Sequence, residues 1–405
     1  MIAVRECSTP ADHDAAWRLR STAFGGPSTP TPGWAEAGWR GWVATEADGR
    51  VCGFTRVWPL RQFYGGVAVP MGGVASVAVD PYARGRGVAS ALLRTALPAM
   101  REVGQPISVL YPTLLPLYSG HGWESVGVYE TVEVSTLALR AAPIPSSLPS
   151  RSTPSRSTPS RSTGPLSLRP VTEADLPAVR ACHLAFASTA DGLLDGAAPH
   201  SGLSHLAGAD IATMAVDDAS GEVRGYLAAS RAAPGLDVHG LVALDPDTRH
   251  ALIDTLGSWA GSVYDARLVL AEPRSRFHTL FGSALSSEQW MLRVVDLPAA
   301  VAARGWPMAA RLRPGLTVDL DVVDEHAPWH AGPHRLVCDD GRVTASPGGS
   351  GAVRVTARAL AAWYAGSASS VALHRAGLLD GDLAAATVLD ALTGVPGPPR
   401  LTDTF

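Results

Sequence analysis

Arg84, Gly85, Arg86 and Gly87 stand together in VDPYARGRGVASALL, residues 79–93. A strand-like run, Ser76-Val77-Ala78-Val79, leads into them, and Asp80-Pro81 breaks that run. A helical pattern follows, with Val88, Leu92 and Leu93 at helical spacing. Glycine has no Cβ, so its backbone N–H can approach an anion closely. A helix start adds the positive end of the helix dipole. Two arginines supply charge, and the whole turn suits a pyrophosphate. It is not a Walker-type loop, because the chain has no lysine, and no trailing acidic residue marks a dinucleotide fingerprint. A plain strand-to-helix turn with solvated arginines is the simpler alternative for these residues.

The surrounding chain has 405 residues, enough for two to four domains. It is 46% hydrophobic and 17% charged, which is ordinary globular material with ample core. A net charge of −4 argues against nucleic-acid binding through bulk positive charge. With every basic residue an arginine, lysine-based covalent catalysis is excluded. Cys7, Cys52, Cys182 and Cys338 show no metal-ligand spacing and read as buried thiols in a reducing compartment. No metal is expected. The opening MIAVRECSTP lacks a basic segment followed by a long apolar core, and no apolar run approaches a bilayer span. These features predict a cytoplasmic protein with no membrane partner.

Residues 142–165 contain a five-residue RSTPS repeat that cannot bury a core and reads as an extended tether. The segments on its two sides look alike. IAVRECSTPADHDAAWRLRSTAF and LSLRPVTEADLPAVRACHLAFA are each a short strand, a capped entry and an amphipathic helix. WVATEADGRVCGFTRVW parallels MAVDDASGEVRGYLAAS as paired strands around a glycine turn. VASVAVDPYARGRGVASALL parallels HGLVALDPDTRHALIDTLGSW, and ISVLYPTLLPLYSGHGW parallels RLVLAEPRSRFHTLFGS. Two copies of one α/β unit are predicted, over 1–141 and 166–305. Residues 306–405 differ. They offer a strand, a hairpin around Asp340-Gly341 and two helices closed by glycine, which makes a third, α+β unit.

The pattern V-x-V-x-P-x-x-R-x-x-G-x-A at 77–89 resembles the acetyl-CoA signature of the GNAT N-acyltransferases. The order of two such units and a sterol-carrier-like unit resembles the enhanced intracellular survival (Eis) family of actinobacterial acetyltransferases. The implied fold class is α/β, with tandem GNAT-like units before a sterol-carrier-protein-like α+β unit. The implied cosubstrate is acetyl-CoA. Val77, Ala78 and Val79 would take pantetheine, and Arg84, Gly85, Arg86, Gly87, Val88, Ala89 and Ser90 the diphosphate, with Thr113 and Leu114 as a second contact. The second copy keeps Asp245-Pro246 and Arg249 but has His250-Ala251-Leu252 where the glycines should be, so it would no longer bind CoA.

The same resemblance implies that Tyr118, in LLPLYSGHGW, is the general acid, since a phenol of pKa about 10 is protonated at neutral pH. Tyr111 is ranked below it, and His121 is read as a surface or turn histidine. The terminal carboxylate of Phe405 would be the general base. Phe24 and Trp34 would wall the amine pocket and Asp403 would border it, whereas Trp39 and Trp42 read as core. The implied substrates are small-molecule amines of the aminoglycoside type, or lysine amines, and the implied assembly is a homohexamer. Two other readings stay open: acyl transfer to an amine of a secondary metabolite, and lipid binding by the third unit.

Overall fold

The computed structural model describes residues 2–141, 165–269, 286–394 and 399–405. The RSTPS tether lies outside the described residues, as does most of RLVLAEPRSRFHTLFGS.

The first unit runs β1 (Ala3–Glu6), α1 (Pro10–Phe24), β2 (Arg40–Thr45), β3 (Val51–Tyr64), β4 (Val67–Val79), α2 (Val88–Glu102), β5 (Ile107–Leu110), α3 (Leu115–Ser119), β6 (Glu124–Ser135) and α4 (Thr136–Arg140). The second runs β7 (Leu166–Pro170), α5 (Leu176–Ala187), α6 (Gly202–His205), β8 (Ile211–Asp217), β9 (Val223–Ala232), β10 (Gly235–Ala243), α7 (Pro246–Gly257), β11 (Asp265–Val269) and β12 (Ser286–Val294). The repeat seen in sequence recurs in local chemistry. Thr9 and Asp12 form a capping box at α1, and Thr172 and Asp175 form one before α5. Each acid also holds an arginine of the preceding strand, Arg5 at 2.6 Å and Arg169 at 2.7 Å.

All twelve strands form one sheet, in the order β1-β2-β3-β4-β5-β12-β6-β11-β10-β9-β8-β7. The two units exchange strands: β12 pairs with β5 and β6 of the first, and β6 pairs with β11 of the second. A strand inserted between two others fills both hydrogen-bonding edges, so neither unit closes without the other.

The third unit begins after α8 (Leu297–Ala303) with β13 (Leu316–Val323), β14 (Gly332–Asp339), β15 (Arg342–Pro347) and β16 (Val353–Thr356). Helices α9 (Ala357–Tyr364), α10 (Ser370–Arg375) and α11 (Leu383–Thr393) and strand β17 (Leu379–Gly381) complete it. Its sheet order is β15-β14-β13-β16-β17. The predicted hairpin at Asp340-Gly341 is present, with φ of 45° and 73°. The core of this unit is continuous with that of the first: Trp306, Leu320, Trp363 and Tyr364 share one apolar cluster with Trp17, Phe54, Trp58 and Tyr64. Trp39 and Trp42 are core residues, as read from sequence. No helix among the described residues is long and apolar enough to cross a membrane.

Candidate functional site

The glycine-arginine turn heads α2. A short 3-10 turn at Pro81–Ala83 follows Asp80, and the α-helix begins only at Val88. Gly85 and Gly87 hold it back, with φ of +74° and +77°, a region that L side chains rarely adopt. No side chain caps α2. The N–H groups of its first turn, Val88, Ala89 and Ser90, are therefore those a helix leaves unpaired. A Cβ on Gly85 or Gly87 would meet nothing within 4 Å, so space is open beside both. Uncapped amides, open space and a half-exposed pair of arginines fit a diphosphate. Arg84 has no described polar partner, whereas Arg86 is held by Glu46, which also takes Arg50. Val88 buries its side chain, so only its backbone is available to a ligand.

Strand β4 opens the path away from this turn. It pairs with parallel β5 only at Met71–Gly73 against Ile107–Val109. Beyond that the strands part, and residues 74–79 keep an unpaired edge on the β5 side. A bulge against β3 falls here, between the pairs Arg56–Ala75 and Phe54–Ala78, with Ser76 at φ +54°. A non-glycine residue in that region is strained, and such strain collects at sites that bind. Past the bulge, Val77 and Val79 face the α2 side while Ala78 packs into the core on the α1 side.

Tyr118 and Phe405 lie on opposite faces of this opening. Tyr118 is buried in the cluster under α2. Burial raises its pKa, with a side-chain hydrogen bond to Thr113 working the other way. Thr113 and Leu114 themselves are exposed just before α3. Phe405 packs into the α1-side core, where a Cβ on Gly73 would come within 2.8 Å of its ring. The tail reaches this place across both units. Arg400 N–H donates to the Asp191 carbonyl at 2.9 Å, Thr404 bridges His200, and Tyr111 donates to the Asp403 carbonyl at 2.9 Å. The Tyr111 ring lies 5.8 Å from that of Phe405. Tyr111 thus holds the chain end in place.

The loop after Tyr118 is fastened from elsewhere. Buried Arg293 of β12 donates to the His121 carbonyl at 2.5 Å and to both oxygens of Asp324 at 2.8 Å. Asp324 also holds His330 at 2.9 Å. One residue from the second unit and one from the third therefore fix the turn of the first. His121 lies in a turn, as read from sequence, but it is buried rather than at the surface, stacked 4.5 Å from His326.

The remaining predicted residues are spread out. Trp34 is buried among Trp17, Trp39 and Phe54. Phe24 is 46% exposed at the end of α1, outside that cluster. The Asp403 carboxylate lies against the Gly202 backbone of the second unit. It lines a cavity of about 30 Å³ with His183, Tyr226 and His239, and burial pushes its pKa up to about 7. No described group of His, Cys, Asp and Glu has a metal-holding arrangement. Sequence reasoning missed Arg56 and the Arg293–Asp324 pair. Arg56 was legible in part: in FTRVW it shares the parity of Phe54 and Trp58, which turns it inward.

Comparison with known proteins bears on the fold and on the class of enzyme. An acetyltransferase (GNAT) domain matches residues 4–126, and a sterol carrier protein domain matches residues 297–401. An uncharacterized N-acetyltransferase of Streptomyces avermitilis is 27% identical over 350 residues, covering 77% of this chain and 76% of that protein. The crystal structure of a GCN5-related N-acetyltransferase from Kribbella flavida superposes over the whole of both chains, with a TM-score of 0.78 and 26% identity. Eis1 from Mycobacterium abscessus has the same fold at 21% identity, with a TM-score of 0.72 over both full chains. The α/β architecture and the sterol-carrier-like C-terminal unit read from sequence agree with these matches.

Proposed function

We propose that this chain, a GNAT-type N-acetyltransferase, moves an acetyl group from acetyl-CoA to a primary amine across the gap between β4 and β5. The observation that carries the reading is the uncapped glycine turn at the head of that gap, with Tyr118 on one face and Phe405 on the other. Arg84 and the amides of Gly85 to Ser90 would hold the diphosphate, and the unpaired edge of Val77 to Val79 the pantetheine arm. Bound acetyl-CoA supplies an activated thioester. The free β4 N–H groups can polarise its carbonyl.

Tyr118 lies on the α2 side, where the sulfur end of a cosubstrate cradled at α2 would arrive. Its raised pKa keeps the phenol protonated at neutral pH, so it can hold a proton for a departing thiolate but cannot act as base. The terminal carboxylate of Phe405 would receive the proton of the amine. An α-carboxyl of pKa about 3.5 is weak for an ammonium of about 10, so desolvation would have to raise it, with water carrying the proton between them. Tyr111, Thr404 and Arg400 position that carboxylate. The Eis resemblance further implies an aminoglycoside-type acceptor and a homohexamer. Light scattering that gives the mass of one chain would remove the hexamer.

The test uses the full chain with residues added after Phe405. Thiol release from acetyl-CoA should fall by at least about a hundredfold across an amine panel, while calorimetry shows acetyl-CoA still bound. Full activity in the extended chain would remove the carboxylate from the mechanism.

A further inference from the structure

One row from the Phe405 ring stands an arginine that acyl transfer does not use. The β3–β4 register sets Trp58 opposite Gly73 and Arg56 opposite Ala75. Arg56 and Trp58 share a face of β3 with Leu60, which meets Gly73 on the side where the Phe405 ring lies. Arg56 is only 7% exposed. Its guanidinium lies 4.7 Å from the Trp34 ring and 4.9 Å from the Trp58 ring. Its Nε is buried without a partner, and it makes no hydrogen bond or ion pair with any described residue. Arg20 of α1 approaches the same place, 5.1 Å from the Trp17 ring and 6.0 Å from that of Trp34. It too has no described carboxylate.

Two cations therefore converge on one indole with no anion between them. The indole N–H groups of Trp34 and Trp58 are also buried and unpartnered. Buried donors are normally satisfied, and a buried charge without a counter-ion is costly. The two guanidiniums and the two indole N–H groups are all donors, which is the complement of an oxyanion. His200 is the other titratable group facing the pair; burial lowers its pKa, and His205 and both arginines add to that. Burial and the nearness of Arg20 lower the Arg56 pKa to about 10, so Arg56 is still charged at neutral pH.

We propose that the acceptor amine carries an anionic oxygen group, carboxylate or phosphate, which Arg56 and Arg20 bind against Trp34 and Trp58 while the amine faces Phe405. The inference rests on the acyl-transfer reading and names its substrate class. This departs from the aminoglycoside-type acceptor that the Eis resemblance implies, because a polycation would bring further ammonium groups against two unpaired arginines.

The experiment measures thiol release from acetyl-CoA by the full chain with matched amines. Amino carboxylates of graded length are set against their primary amides, aminoethyl phosphate against ethanolamine, and a polycationic aminosugar is included. A charge-assisted hydrogen bond corresponds to a factor of about 10 to 100. The anionic member of a pair should be favoured by about that factor in kcat/KM, through KM. Whichever pair shows the larger factor identifies carboxylate or phosphate. Arg56→Gln should raise KM for the anionic member to that of its neutral partner, Arg56→Lys should keep part of the preference, and both should bind acetyl-CoA. Titration of the CoA-loaded protein with an N-acetyl amino carboxylate and its amide reads the same discrimination without turnover.

Equal or better use of neutral or polycationic amines overturns the proposal. So does a loss in Arg56→Gln that is uniform across all amines, because the arginine would then serve the chain end's own carboxylate. Failure of the wild-type chain to bind acetyl-CoA would instead break the acyl-transfer reading beneath it.

Discussion

The two repeated units start from the same turn and end with opposite helix heads. Each has Asp-Pro after its fourth strand, and each aspartate pairs with an arginine from the preceding hairpin. Asp80 accepts from Arg50 at 2.9 Å, and Asp245 accepts from Arg224 at 3.1 Å. In the second unit the α-helix begins at once, at Pro246, and Asp245 caps it through the Thr248 N–H at 2.8 Å and the Thr248 hydroxyl at 2.9 Å. That helix end already holds an anion of its own. In the first unit two glycines at positive φ delay the helix to Val88, and the freed helix head is left without a cap. Both units keep the bulge and the short parallel pairing that part the strands. Their openings differ in what borders them. Thr402 and Asp403 border the second, among Val238 to Val242 and Val269, while Phe405 stands at the α1 face of the first. The two helix heads thus differ by a cap and two glycines.

The largest expected effect tests the glycines. Gly87→Trp should abolish acetyl-CoA binding, since it forces a side chain into a left-handed position and fills the open space beside it. Calorimetry on the wild-type chain should give one site per chain. Two sites, or undiminished affinity in Gly87→Trp, would erase the distinction between the units.

A smaller effect comes from the tail at the second opening. Burial holds the Asp403 pKa at about 7, against about 3.9 in an unfolded chain. The folded state therefore binds the proton more tightly. The stabilisation is fully present below pH 4 and is lost as pH rises through 7. Asp403→Asn should flatten the fall in Tm between pH 5 and 8 and raise Tm at pH 8 by a few degrees, corresponding to roughly 1 kcal/mol. An unchanged pH profile would mean that the carboxylate is solvated.

The smallest effect sharpens the comparison from the other side. Asp245→Ala removes the cap of α7 and should cost about 1 kcal/mol of stability in denaturant unfolding. It should create no second acetyl-CoA site, because His250 and Leu252 stand where the first unit has Gly85 and Gly87. A second site appearing in this variant would show that the cap alone silences the second unit.

The local chemistry was legible in the order of residues. Gly85 and Gly87 are legible as a turn of close backbone approach because glycine has no Cβ, and the polar entries STPAD and VTEAD are legible as helix starts. The repeat, the hairpin at Asp340-Gly341 and the cradle of α2 follow from short-range rules of this kind. Tertiary structure alone decided the rest. The exchange of β6 and β12 depends on which strand edge is open to which unit. The hold of Arg293 on the Tyr118 loop joins residues more than 170 positions apart. Phe405 reaches Gly73, and Arg56 meets Arg20 across Trp34, only once the sheet has set its register and the third unit has packed on the first. Backbone dihedrals and caps are determined within a few residues, whereas unpaired edges and buried charges acquire their neighbours only when distant segments pack.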